Sequence, residues 1–387
     1  MLKAEIYSVG NLTKHFIVLV MVALWTLPTM GLLVSSVRDA DQLIVSGWWT
    51  ALVPTERNEV HRTPSSDGQI EVDGIYRITG QFFSEGSGRS VVNWGPGART
   101  LDDFEPNEMA LRPDGTRLTV NEDGSYVWES DEPFEHARGV RIFYTAAIPP
   151  RFTLANYERV LAAEGIGRAF VNSVTVTLPA TFIPILIAAF AAYALSWMNF
   201  WGRVFFLALI VGLLVVPLQM ALVPVLRTYN WLGGTWLTSV GWEPRSYLGV
   251  WLAHTGFGLP LAVYLLRNYM AGLPREIMES ARMDGATHFK IFMTIVLPLS
   301  VPALASFAIF QFLWVWNDLL VAIVFLGQGE GRTVLTAQLR ELLGSRGDNW
   351  EILTSGAFIT MIVPLVVFIS MQRYFVRGML AGSVKGG

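Results

Sequence analysis

Six apolar blocks constrain this chain most: roughly Phe16–Val34, Val171–Trp197, Val204–Leu226, Leu248–Leu266, Val301–Leu326 and Ile352–Ile369. A helix rises about 1.5 Å per residue, so about 20 residues cross a hydrocarbon core of about 30 Å. Each block suits one such helix. Lipid offers no partners to free backbone groups, so a spanning segment must satisfy them internally. Prolines 179, 184, 217, 224, 260, 302 and 364 lie within the blocks. In a membrane, packed neighbours can satisfy the groups a proline frees. Composition agrees: 15% of residues are charged, against about 25% in soluble domains. The first block follows Lys14. It is long for a signal-peptide core and no Ala-x-Ala site follows, so it reads as a retained helix.

Charge orients the helices. Lys3, Lys14, Lys290 and Lys385, with Arg203, Arg267, Arg275, Arg282, Arg373 and Arg377, fall on one side if six helices alternate. Arg227, Arg245, Arg332, Arg340 and Arg346 fall on the other. The richer side is cytoplasmic, which puts both termini inside. The stretch between blocks one and two is then outside. It is punctuated by Asp67-Gly68, Asp73-Gly74, Asp114-Gly115 and Asp123-Gly124, with alternating runs between them. Leu118–Trp128 reads as a hairpin. The expectation is an all-α polytopic membrane protein interrupted by a β-rich extracytoplasmic insert: helix one within 1–37, the insert over 38–150, and a five-helix core over 151–387. The insert suits a structural role, a docking surface for an external protein, or direct sugar binding.

Chemistry motifs are missing. There is no Gly-Lys pair for a phosphate loop, no cysteine, no metal-spaced histidine pair and no Gly-x-Ser-x-Gly elbow. Nothing points to a cofactor, a metal or nucleic acid, so any driving energy comes from a partner or an ion gradient. The segment 272–300 is the exception to the apolar theme. Leu273-Pro274-Arg275-Glu276 starts a helix that Asp284-Gly285 breaks. Phe289, Phe292, Met293 and Val296 then mark one face of a second. Such a helical loop can rest on lipid headgroups or dock a cytoplasmic partner. Ionisable and polar groups within membrane blocks are functional candidates: Asp318, with Gln219, Tyr264, Gln311, Trp314, Trp316, Asn317 and His254. Their alternative role is to bond helix to helix. Beyond helix six, glycines 378, 382, 386 and 387 argue against a stable helix, so the tail would order only on a partner.

The loop resembles the "EAA" segment of permeases in binding-protein-dependent ABC importers: Glu279-Ser280-Ala281, Asp284-Gly285-Ala286 and Ile295-Val296-Leu297-Pro298, with Ser280 in place of the usual alanine. Phe152–Leu161, Asn172-Ser173, Trp316-Asn317-Asp318 and the ending Gln372–Gly386 are similar to the carbohydrate-type, maltose-like permeases. Gly47–Leu52 and the insert resemble the alpha-glucoside branch. The resemblance implies six transmembrane helices in the type I importer arrangement and a bacterial inner-membrane location. It implies a second permease subunit, two ATPase subunits beneath, and an extracytoplasmic sugar-binding protein. It also implies a coupling role for Glu279, Ala281, Asp284, Gly285, Ala286, Leu297 and Pro298, and a main sugar pocket that could lie in either permease. A secondary transporter and a membrane-anchored sensor are the competing classes.

Overall fold

The computed structural model describes residues 9–84, 86–135, 139–235, 241–327, 329, 331–342 and 349–383. The chain divides into two compact units, Met1–Asn156 and Tyr157–Gly387.

The first unit begins with α1 (Val9–Ser36), apolar along its length and exposed over most of it. A short helix α2 (Ala40–Val45) and a 3-10 turn (Trp48–Thr50) follow. Arg38 is buried at the junction. Its guanidinium donates to the carbonyls of Ser46 and Gly47, both at 3.1 Å, and to Ser46 Oγ at 2.7 Å. The returning chain pairs there too. Phe152 bridges Arg38, Thr153 N donates to Val37 O at 2.6 Å, and Asn156 Nδ2 donates to Ser36 O and Arg38 O. Entry and exit thus lie side by side, which lets a whole domain interrupt the chain there.

Between them the described residues form eight strands in two antiparallel sheets. β1 (Thr55–Arg62), β8 (Arg141–Ile148) and β4 (Ser90–Gly95) form one, in the order β1-β8-β4. The other runs β2 (Ile70–Val72), β3 (Ile75–Gln81), β7 (Ser125–Ser130), β6 (Arg117–Val120) and β5 (Met109–Leu111). Ile78, Leu118, Val120, Tyr126 and Trp128 of the larger sheet share a core with Val91, Trp94, Ile142, Tyr144 and Ala146 of the smaller. Alternation along each strand supplies these inward positions. The expected hairpin is β6–β7, with Val120 opposite Tyr126. Its turn is closed by Asp123 Oδ1 accepting from Ser125 N at 2.9 Å, and Gly124 takes the left-handed conformation (φ 84°).

The second unit is helical. α3 (Ala155–Ala162) leads to α4 (Ile166–Trp197), α5 (Arg203–Leu213), α6 (Leu218–Thr235) and α7 (Tyr247–Ala271). The helices α8 (Arg275–Met283), α9 (His288–Ile291) and α10 (Leu297–Leu299) form the charged loop. α11 (Val301–Asn317), α12 (Leu320–Phe325), α13 (Leu335–Leu342) and α14 (Trp350–Ser383) complete it. Four helices among the described residues are long and apolar enough to cross a membrane, or six if each of two bent pairs is one span. Blocks one, two, four and six each form one helix, and blocks three and five do not. Block three is α5 and α6 meeting at 110° across a break that ends at Pro217. That proline cannot donate to the helix behind it. Block five stops at Asn317. Asp318 is extended, and α12 starts afresh. The tail also departs from expectation, since α14 stays helical through Ser383, past glycines 378 and 382. Gly386 and Gly387 lie outside the described residues.

α4 and α7 run side by side in the same direction. At one end Tyr247 OH donates to Asn172 Oδ1 (2.8 Å) and Trp251 Nε1 to Thr175 O (2.9 Å). At the other, Ser196 Oγ donates to Arg267 O (3.1 Å) and Trp197 Nε1 to Met270 O (3.1 Å). Small buried residues, Ala188, Ala189 and Ala192 on α4 with Ala262 on α7, share the core where these helices pack.

Candidate functional site: the charged loop and an apolar cleft

α8 is two-faced. Met278 is buried and Ala281 half-buried, while Glu276, Glu279 and Met283 are exposed. The helix ends in a Schellman motif. Asp284 is its C-cap, and Gly285 follows at φ 75° with open space where a Cβ would stand. Gly285 N donates to Arg282 O and Ala286 N to Ala281 O, both at 3.0 Å. Those bonds satisfy two of the carbonyls that a helix end orphans, and the left-handed residue between them is normally glycine. Ala281 and Ala286 both pack against the core of α4 and α7. The alanine–glycine–alanine spacing is thus the local requirement of a tight reversal. Thr287 then caps α9, its Oγ1 accepting from Lys290 N at 3.3 Å.

The second helix departs from the expected face. Ile291, Phe292 and Val296 are buried, whereas Phe289 and Met293 are exposed. Residues Phe292–Val296 form a π-helical turn, which shifts the phase of everything after it. Pro298 sits just beyond, where its ring would crowd the Thr294 carbonyl in a regular helix. Leu297 is half-buried against the same core and Pro298 is exposed. The loop is fixed to the helix ends by Arg282 Nη2 donating to Trp197 O (3.1 Å) and by a 3.0 Å bond between Tyr193 OH and His288 Nδ1. Neither anchor was foreseen from sequence. What remains outward is Glu276, Glu279, Met283, Phe289, Lys290 and Met293: charge interleaved with apolar surface, a composition suited to docking.

A cleft of about 510 Å³ opens where α5 and α6 diverge. Leu213, Val216, Leu218, Val225, Tyr229, Phe257, Gln311 and Trp314 contribute to its lining. Gln311 is buried and donates to Ala180 O at 3.0 Å. Its amide fits because Gly258 has no Cβ, which would come within 2.5 Å of Gln311 Oε1. Trp314 stands edge-on to the buried His254 ring, 5.5 Å between centroids. The structure brings only these two of the path candidates to the cleft. Trp316 is buried elsewhere, stacked on Phe312 and donating to Thr360 O at 3.0 Å. Asn317 bonds back to Leu313 O, and Asp318 Oδ1 accepts from Val321 N at 2.9 Å, capping α12. Gln219 and Tyr264 are exposed and outside the lining. Tyr229 and Phe257 were missed. The signal for them was Pro217 beside Gly256 and Gly258, a break facing a smooth wall.

Residues 174–381 match the family described as the binding-protein-dependent transport system inner membrane component. The chain is 64% identical over 373 residues to the alpha-glucoside transport system permease protein AglG of Rhizobium meliloti (strain 1021), covering 96% of this chain and 97% of that one. It is 58% identical over 235 residues to the osmoprotective compounds uptake permease protein GgtD of Synechocystis sp. (strain ATCC 27184 / PCC 6803 / Kazusa), covering 61% of this chain and 76% of that one. A chain of a bacterial transporter that imports the acidic polysaccharide alginate overlays with a TM-score of 0.47 at 23% identity, over 59% of this chain and 82% of that one. This protein therefore belongs to the inner-membrane permease components of binding-protein-dependent transport systems, a transport subunit and not an enzyme. A match over 96% of the chain has to include most of the sandwich.

Proposed function

We propose that the chain is one of two paired permeases of an ATP-driven importer for an alpha-glucoside. The near-full-length identity to AglG carries this reading. The permease adopts the type I arrangement with six spans, both termini cytoplasmic and the sandwich outside, as the basic residues apportion it. Two ATPase subunits bind beneath it. They engage the face of α8 and α9 that carries Glu279, Met283 and Phe289. An external sugar-binding protein delivers substrate from the other side. Gln311 and Trp314 contribute a polar group and an aromatic plane to the path, the pairing that sugar recognition calls for; Trp316 ties α11 to α14 beside it. The resemblance of the C-terminal tail to the maltose-type permeases, with Arg373 beyond the last apolar block, supports contact with the ATPases.

The test is reconstitution of the assembled importer in liposomes. ATP hydrolysis is measured with the binding protein loaded with alpha-glucosides, then with beta-glucosides of the same size. Stimulation by the alpha series alone supports the proposal, and equal response to both sinks its substrate. The GgtD match over the permease core favours one second reading, uptake of small osmoprotective solutes, so these form the third arm.

A further inference from the structure

The segment that joins α1 to the sandwich carries more exposed apolar surface than a water-facing connection needs. Ile44, Trp49, Leu52 and Val53 are all exposed, Trp49 by 73% and Leu52 by 81%. Phe152, which bridges Arg38 at the same junction, is exposed as well. The same segment also borders charge: Asp39, Asp41, Arg57, Glu59, Arg89 and Arg151 line a small polar cleft beside Gln42 and Val45.

The segment is held rigidly against α1. The Trp48 indole lies where a side chain on Gly31 would stand, since a Cβ there would come within 2.7 Å of Trp48 Nε1. The Arg38 bonds to Ser46 and Gly47 close the other end. The apolar block of α1, Phe16–Val34, is about 28 Å of helix and fills a hydrocarbon core of about 30 Å, so the chain beyond Val34 enters the headgroup layer. Gly31 lies about 5 Å of helix before that boundary, within the depth at which interfacial segments bury their apolar faces, about 5–10 Å. Tryptophan is enriched at that level. Through Trp48 the exposed patch is continuous with the lipid-facing surface of α1.

We infer that residues 44–53 form a collar embedded in the headgroup layer of the leaflet where α1 emerges, with lipid as its partner. The collar fixes the height of the sandwich above the bilayer, and its charged cleft faces water. This rests on the reading of α1 as a membrane span.

The chain contains no cysteine, so single labels can be placed without removing any. Leu24→Cys on α1, Leu52→Cys in the collar and Asp102→Cys on the sandwich each receive a nitroxide, in the full chain in phospholipid nanodiscs. Accessibility to oxygen, which concentrates in lipid, is compared with accessibility to a water-soluble nickel chelate. The label at Leu52 is expected to favour oxygen several-fold more than the label at Asp102. Nickel access equal to that of Asp102 overturns the collar. Shielding from both reagents also overturns it, because protein rather than lipid then covers the patch. If the label at Leu24 favours nickel, the span fails and the collar with it. Leu52 is exposed, so its variant keeps the fold; unchanged hydrogen exchange in β8 confirms that.

Discussion

The amide of Ala286 reaches back over Gly285 to the carbonyl of Ala281, 3.0 Å away, and this one bond sets the direction in which the charged loop turns. Both alanines press on the α4–α7 core. The turn therefore places the exposed side chains of α8 and α9 relative to the membrane helices.

Gly285→Leu forces a side chain into the left-handed region at a cost of about 1–2 kcal/mol. Open space surrounds the position, so the cost comes from backbone conformation alone. The variant is expected to insert in the membrane yet lose ATPase in co-purification. Gly285→Asn, which tolerates that conformation, should recover much of it. Equal loss in both variants rules out the conformational explanation.

Glu279 is exposed and forms no ion pair among the described residues. Glu279→Lys is expected to leave thermal stability unchanged while abolishing sugar uptake and ATPase co-purification. Truncating one member of a docked charge pair costs about 2–5 kcal/mol, and reversal adds repulsion. Normal uptake by this variant leaves the loop a passive interfacial element.

The two tryptophans of α11 should separate. Trp316→Ala leaves a cavity beside Phe312 and an unpaired Thr360 carbonyl, so stability should fall by about 3 kcal/mol and detergent half-life shorten. Trp314→Ala opens the cleft wall, so uptake should fall several-fold with stability and ATPase binding kept. The reverse pattern assigns the path to Trp316.

His61 packs on Phe82 and Tyr126, 5.0 and 5.5 Å between centroids. Burial lowers its pKa below the usual value. The unfolded chain then takes up the proton first as pH falls, so the sandwich loses stability from about pH 6.5 downward until the folded form also titrates. Above that range the contribution is complete. Hydrogen exchange of β1 and β8 as a function of pH should show the loss, and His61→Gln should flatten it.

The side assignment is checked with fused reporters. One after Gly86 should behave as exported and one at the C-terminus as cytosolic. The opposite result removes the ATPase from the face that carries Glu279.

The turns could be read in advance where a few adjacent residues set the geometry. Asp123-Gly124 announced β6–β7, and Asp284-Gly285 announced the loop's reversal. Direction was harder. Hydropathy sums composition and is blind to a 110° bend, so Leu214–Pro217 passed as the middle of one helix. The Trp314–Asp318 string looked like one site because its residues are adjacent. Neighbours two apart on a helix do not share a face, and Gln311 and Trp314, three apart, are the pair that meet the cleft. Phe289 and Met293 likewise lie outward, one before and one within the π turn at Phe292–Val296.

The two long helices tied by Tyr247–Asn172 at one end and Trp197–Met270 at the other behave mechanically as a strut. Pinned at both ends, they cannot slide past each other without breaking four hydrogen bonds. They can tilt as one body. Arg282 grips Trp197, so a displacement of α8 arrives as torque on a lever of about 48 Å, the length of α4. A small stroke at α8 is thereby carried toward the far end, where Tyr247 holds Asn172.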